Sequence, residues 1–308
     1  MRTISIINQK GGVGKTTSSV NIAAALAGMG QRVCVIDMDP QAHASLHLGV
    51  SVGEGEKSMY HVLTEETPLS EIRQEVSPNL FVCPADLDLA AAEMELSGEV
   101  GREIILRDRL QDDDVEFDFL IIDCPPSLGV LTLNALTSTK EVFLPLQPHF
   151  LALHGLSKLL KTVEIVARRL NKGLHLSGIM YCLCESSTRL ATEVINDVEG
   201  FFESERGREN AWSKVTSFQS KIRRNIRLAE APSYGQSIFQ YAPNSNGAED
   251  YLNLSLEILA QDDRQNVQPY KVHQLVVNLP DSNQEDDAPI GKNKTTDLST
   301  EGVKKVPA

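Results

Sequence analysis

At 308 residues the chain is long enough to bury a sizeable core, as one large α/β domain or two small ones, and its 41% apolar content excludes wholesale disorder. Its 29 basic residues against 42 acidic ones give a formal charge of −13, which excludes bulk nucleic-acid binding and leaves only a local basic patch for any DNA contact. Five cysteines, an odd number in or beside apolar runs, point to reduced, buried thiols, no run approaches the roughly 18 apolar residues that cross a bilayer, and no signal segment precedes the first strand, so a soluble cytoplasmic protein is expected.

The chain opens on the apolar run Ile4-Ser5-Ile6-Ile7, which has the pattern of a buried parallel strand. Residues 18–29 place Val20, Ala23, Ala24 and Ala27 at helical spacing and run out at Gly28 and Gly30. Between strand and helix lies Lys10-Gly11-Gly12-Val13-Gly14-Lys15-Thr16-Thr17. A glycine-rich loop entering a helix lets backbone N–H groups cradle phosphates. Lys15 then reaches the β- and γ-phosphates, and the Thr16 hydroxyl sits on Mg2+. Gly11, Gly12, Val13, Gly14, Lys15, Thr16 and Thr17 are the expected nucleotide contacts. Gln9 stands where the usual loop begins with glycine, and Lys10 adds a second cation that one nucleotide's phosphates do not need.

The stretch 31–41 reads as a second buried strand running into Asp37 and Asp39 before Pro40 stops it, which leaves both acids at the carboxyl end where open α/β sheets bind ligands. Residues 49–79 are expected to form surface elements, 80–83 a strand, and 87–96 and 103–110 helices. The run 117–122 delivers Asp123 to another strand end, where a carboxylate holds Mg2+ through a water. A strand over 141–146 precedes a long helix opened by Pro148, whose apolar positions Leu156, Leu159, Leu160, Val163, Ala167 and Leu170 share one face, and which closes on Arg168, Arg169 and Lys172. Residues 176–183 read as a strand, and 188–202 as a helix with Leu190, Val194, Val198 and Phe201 inward and Arg189 near its exposed start. The densest basic cluster follows, Lys221-Ile222-Arg223-Arg224-Asn225-Ile226-Arg227, and 251–260 is a last amphipathic helix. Residues 263–308 turn polar, apart from the patch 275–279, and are expected to be a mostly disordered tail outside a domain of 1–262. Alternating strands and helices imply an α/β fold, a doubly wound, mostly parallel sheet with helices on both faces.

Three stretches have to be explained together: Lys10 to Thr17, Asp37-Met38-Asp39-Pro40-Gln41, and Asp123-Cys124-Pro125-Pro126-Ser127-Leu128-Gly129. With Leu133-Asn134-Ala135-Leu136 and the stretch from Arg224 to Gly235, they make residues 1–260 resemble the deviant Walker A partitioning ATPases, the ParA family, and most closely its chromosomal Soj branch. The resemblance implies a P-loop NTPase in which two subunits close face to face over two ATP molecules and Lys10 reaches the partner's phosphates. It implies that Asp39 positions the attacking water, that Asp37 orients nearby groups, and that Asn225 contacts adenine, although Arg223 replaces a proline usual in that pattern. It further implies non-specific DNA binding by the ATP dimer, with Arg189 and Arg224 at DNA-contacting positions and Lys221, Arg223 and Arg227 available to phosphates. Hydrolysis in such proteins is weak alone and is stimulated by DNA together with a centromere-binding ParB partner, on the nucleoid.

Guanine specificity is disfavoured, because Asn171-Lys172-Gly173-Leu174 and Thr139-Lys140-Glu141-Val142 both lack the aspartate of a guanine-reading motif. A MinD-like membrane-cycling ATPase would share the loop but needs a basic amphipathic C-terminal helix, and 267–280 has little cationic face. An iron–sulfur carrier needs paired thiolates at an interface, whereas alternation along a strand sends Cys182 and Cys184 to one face, into packing.

Overall fold

The computed structural model describes residues 1–149, 155–185, 189–261 and 270–277. Eight strands form one sheet in the order β3-β4-β2-β5-β1-β6-β7-β8, comprising β1 (Arg2–Ile6), β2 (Val33–Asp37), β3 (Gln74–Ser77), β4 (Leu80–Cys83), β5 (Phe119–Asp123), β6 (Glu141–Leu146), β7 (His175–Tyr181) and β8 (Thr216–Ser217). Every pairing is parallel except β3 on β4. The central strands β2 and β5 are buried at every position, which explains their continuous apolar runs.

Alternation along these strands feeds two cores. Cys34, Ile36, Leu120 and Ile122 face one cluster, which contains side chains of α3 (Met59–Thr64), α5 (Leu89–Glu95), α6 (Ile105–Gln111), α7 (Val130–Ser138), α8 (Leu156–Arg169) and α9 (Arg189–Glu205). Ile4, Ile6, Val33, Val35 and Ile121 face the other, under α1 (Lys15–Gly28), α11 (Ile238–Tyr241) and α12 (Asn246–Ala260). The expected two-faced sheet is therefore present. The alanines of α1 let its backbone lie close on the sheet, where Ala23 to Ala27 are all buried.

Strand order places the site. β1 and β5 are neighbours, yet β1 leads through α1 to β2 and β5 leads through α7 to β6, toward opposite edges. Divergent crossovers open a crevice at the carboxyl ends of the strands. Register aligns Ile6 and Asp37 with Asp123 there, so the loop after β1 and both strand-end acids meet at one place.

Four expectations change. The inward face of α9 is Val194, Ile195, Val198 and Phe202, while Leu190 and Phe201 are exposed, so the stripe is rotated from the one read in sequence. Cys182 and Cys184 fall in different cores, because Leu183 takes φ +55° and breaks the alternation after β7. Residues 49–79 contain, besides α3 and α4 (Leu69–Ile72), the antiparallel edge strand β3. In the stretch expected as tail, α13 (Val272–Val277) is helical and Leu275 is fully buried against Gly28, where a Cβ would lie 3.2 Å from that of Leu275. Apart from 270–277, residues 262–308 lie outside the described residues, as does the start expected for the helix after Pro148.

Candidate active site

The loop between β1 and α1 turns on two glycines with left-handed backbones, Gly12 at φ +71° and Gly14 at φ +93°. Gly14 is the N-cap of α1 and supplies no side-chain cap, so the first N–H groups of a 14-residue helix face outward. A Cβ added at Gly11 or Gly12 would meet nothing within 4 Å, which leaves the inner side of the loop open to a phosphate. The cleft measures about 410 Å³ and is lined by Gly11, Gly12, Gly14, Lys15, Thr16, Thr17, Asp39, Gln41, His43 and Pro126. A groove of similar volume, about 430 Å³, is lined by residues from Glu164 to Lys214, among them His175 at the start of β7, and so lies at the other ends of the strands from the glycine loop.

Three carboxylates stand at this end of the sheet: Asp39 lines the cleft, and Asp37 and Asp123 are fully buried at the aligned strand ends behind it. Asp123, fully buried, accepts hydrogen bonds from Thr16 Oγ1 and Ser19 Oγ, both at 2.7 Å. Burial pushes its pKa up, to about 7, and nearby Asp37 pushes the same way, against Ser19, Thr16 and Lys15. Asp37 accepts from the Ser45 hydroxyl at 2.7 Å, the Ser45 N–H at 2.9 Å and the Asp39 N–H at 3.1 Å. Burial raises it as well, and those three donors oppose the shift. Asp37 thus spends its oxygens on shaping the loop that carries Asp39, whose own Oδ1 accepts a backbone N–H from Gln41 at 3.0 Å within that loop. Lys15 is 7% exposed; burial lowers its pKa, and Asp123, Asp39 and Cys124 partly offset this. Its Nζ donates to the Lys10 carbonyl at 3.3 Å.

These residues fit a magnesium nucleotide. Oxygen donors from Thr16 and Asp123 already converge as a hard cation requires, beside an open cradle of N–H groups and a buried ammonium. The paired hydroxyl of Ser19 was not anticipated, although it lies one helical turn beyond Thr16 on the same face. Ser45, Gln41, His43 and Pro126 were missed too.

The remaining expected site residues are more dispersed. Lys10 is exposed at the rim, with its backbone N–H on Asn8 Oδ1 at 2.9 Å and its ammonium against His149 Nε2. Asn225 lies outside the cleft lining and caps α10 (Ile226–Glu230) by accepting from Arg227 N–H at 2.9 Å. Its segment is carried past the end of β7 by bonds from Cys184 N–H to Ile222 and from Arg224 N–H to Cys184, the same end at which Gly14 packs on Cys182. Arg189 pairs with Glu193 at 2.9 Å, Arg224 with Glu185 at 3.4 Å and Arg227 with Glu230 at 2.8 Å, all exposed contacts. Arg223 has a different occupation: Nε and Nη2 grip the buried Asp250, Nη2 also meets Glu249, and the Arg223 backbone N–H donates to Asp250 at 2.9 Å. Lys221 is exposed and has no carboxylate within ion-pair reach among the described residues.

Comparison with known proteins agrees with the cleft. A family model described as an AAA domain matches residues 1–176. The sporulation initiation inhibitor protein Soj of Bacillus subtilis is 42% identical over 260 residues, spanning 84% of this chain and 98% of that protein. The chain belongs to the Soj/ParA family of chromosome-partitioning ATPases. The chromosome partitioning protein ParA of Myxococcus xanthus is 41% identical over 262 residues, covering 85% of this chain and 89% of its own length. Among solved structures, a cobyrinic acid a,c-diamide synthase from Mycobacterium smegmatis with bound ATP analog and magnesium superposes with a TM-score of 0.71 at 32% identity, over 88% of this chain and all of that one.

Proposed function

We propose that this chain is a Mg2+-dependent ATP hydrolase that partitions DNA, chromosomal or plasmid, by cycling between a free subunit and an ATP-bridged homodimer on the nucleoid. The observation that carries this reading is the meeting in one cleft of the Gly11–Gly14 cradle, buried Lys15, the Thr16–Asp123 pair and Asp39, with a second lysine, Lys10, exposed at the rim.

Gly11, Gly12, Val13, Gly14, Thr16 and Thr17 wrap the phosphates with backbone N–H groups, and Lys15 neutralises the β- and γ-oxygens. Thr16 and Asp123 would hold Mg2+, and the ion would supply charge neutralisation for the phosphates. Asp39 orients the water for in-line attack on the γ-phosphorus, and Asp37, saturated by Ser45 and its own loop, keeps Asp39 in place. Charge developing on the phosphate oxygens needs a further cation, and Lys10 of the facing subunit provides it, so turnover waits on dimerisation. Asn225 borders the adenine at the end of β7. Arg189, Lys221, Arg224 and Arg227 meet DNA phosphates without reading bases, and the exposed, solvent-screened carboxylate pairs of the three arginines yield to a phosphate polyanion. Arg223 holds the basic segment on α12 through Asp250.

A ParB-like centromere-binding partner stimulates hydrolysis and releases the dimer. The test is ATP turnover with DNA and with a candidate ParB-like protein, separately and together. More than additive stimulation is expected; stimulation by anionic vesicles in place of DNA would move the protein to the membrane-cycling class, and no response to either would remove the partition reading.

A further inference from the structure

Lys10 is tied to its own subunit at both ends. Its backbone N–H bonds to Asn8 Oδ1, and Asn8 Nδ2 in turn donates to the Pro145 carbonyl in β6 at 2.7 Å. Three residues beyond β6, His149 brings its Nε2 against the Lys10 ammonium. An ammonium can only donate, so in this contact Nε2 is the accepting atom. Lysine has a compact, rotatable charge on a flexible stem, and its preferred position is the one with the most favourable acceptor in reach. In the free subunit that acceptor is in cis, on the loop leaving β6, rather than across the dimer face.

We propose that His149 is a positioning residue for Lys10, a cis latch that parks the lysine on its own β6 loop until a partner's phosphates displace it. The inference rests on the reading that Lys10 acts across a dimer. Closing the dimer then requires two lysines to leave two imidazoles for two triphosphates. The exchange favours the triphosphate by charge, but the latch subtracts from the gain, which makes the ATP dimer reversible and keeps nucleotide binding and dimerisation as separable steps.

The experiment is ATP-dependent dimerisation followed by sedimentation across a protein concentration series, for wild type, His149→Ala, His149→Gln and Lys10→Ala. His149→Ala is expected to dimerise at roughly tenfold lower concentration, equivalent to about 1.4 kcal/mol, a size that two exposed contacts can supply. His149→Gln keeps an acceptor at similar reach and is expected to return toward wild type, a rescue that a packing role for the ring would not produce. Lys10→Ala should fail to dimerise whatever stands at 149. If His149→Ala dimerises at the wild-type concentration or weaker while Lys10→Ala fails, the latch is wrong and the two-subunit reading stands. If Lys10→Ala dimerises with ATP as wild type does, the two-subunit reading itself falls and takes the latch with it.

Discussion

Removing the Ser19 hydroxyl by Ser19→Ala tests the metal-site assignment through its charge state. Ser19 is fully buried and donates at 2.7 Å to Asp123 Oδ1, leaving only Thr16 on the other oxygen. A hydrogen bond to a charged group is worth about 1.5–3 kcal/mol, and 1.36 kcal/mol is one pKa unit, so at the lower end of that range the variant raises Asp123 by about one unit. Asp123 starts at about 7, where it is half ionised at neutral pH. Because the metal takes the ionised form, the variant should need about fivefold more Mg2+ for nucleotide binding near pH 7, and the deficit should vanish near pH 9, where both carboxylates are ionised. The signs for metal and fold are opposite. A carboxyl whose folded pKa is raised binds its proton more tightly in the folded state, so its contribution to stability without metal grows as pH falls from about 7 toward the unfolded range near 3.9, while Mg2+ affinity falls over the same window. The assay is Mg2+ titration of a fluorescent ATP analogue at the two pH values. An Mg2+ requirement unchanged near pH 7, or a deficit that persists near pH 9, would refute the placement of Asp123 at the metal.

Two further substitutions address the surface and the C-terminal segment. Arg224→Glu should weaken DNA binding, flatten its salt dependence by about one unit of slope and leave nucleotide affinity intact; an unchanged gel-shift titration would remove the basic cluster from the interface. Leu275→Ala, at a fully buried position on α1, should cost about 2–3 kcal/mol and lower the melting temperature by several degrees while ATP turnover survives; no thermal effect would mean that α13 does not hold to α1 in solution.

What the sequence made legible follows from burial. β1, β2, β5 and β6 are covered on both faces, so each is an apolar run of strand length ending at a loop that carries chemistry. β3, with two exposed positions out of four, and the two-residue β8 lack that pattern and were invisible. The face of α9 was misread because Leu190 and Phe201 continue the same helical period as Val194 and Val198, and only the neighbouring helix and sheet decide which flank goes inward. α13 is six residues long inside a polar stretch, too short for periodicity to announce it. At the site, Lys15, Thr16, Asp39 and Asp123 follow from strand ends and a loop motif. Ser19 was within reach by helical spacing. Ser45 on Asp37 and His149 on Lys10 were not, since the latter contact joins residues 139 positions apart and only the parallel alignment of β1 with β6 brings them together.

Subunit complementation tests the central claim, that each site is finished by the other subunit's Lys10. Lys10→Ala, which does not pair with itself, and Asp39→Ala should each be inactive alone in ATP turnover. In a mixed dimer of two-fold design, the site on the Lys10→Ala subunit keeps its own Asp39 and receives Lys10 from its partner, while the other site lacks both, so an equimolar mixture should recover a clear fraction of wild-type turnover, at most about half. A mixture as inactive as its two components would place Lys10 in the site of its own chain and contradict the account.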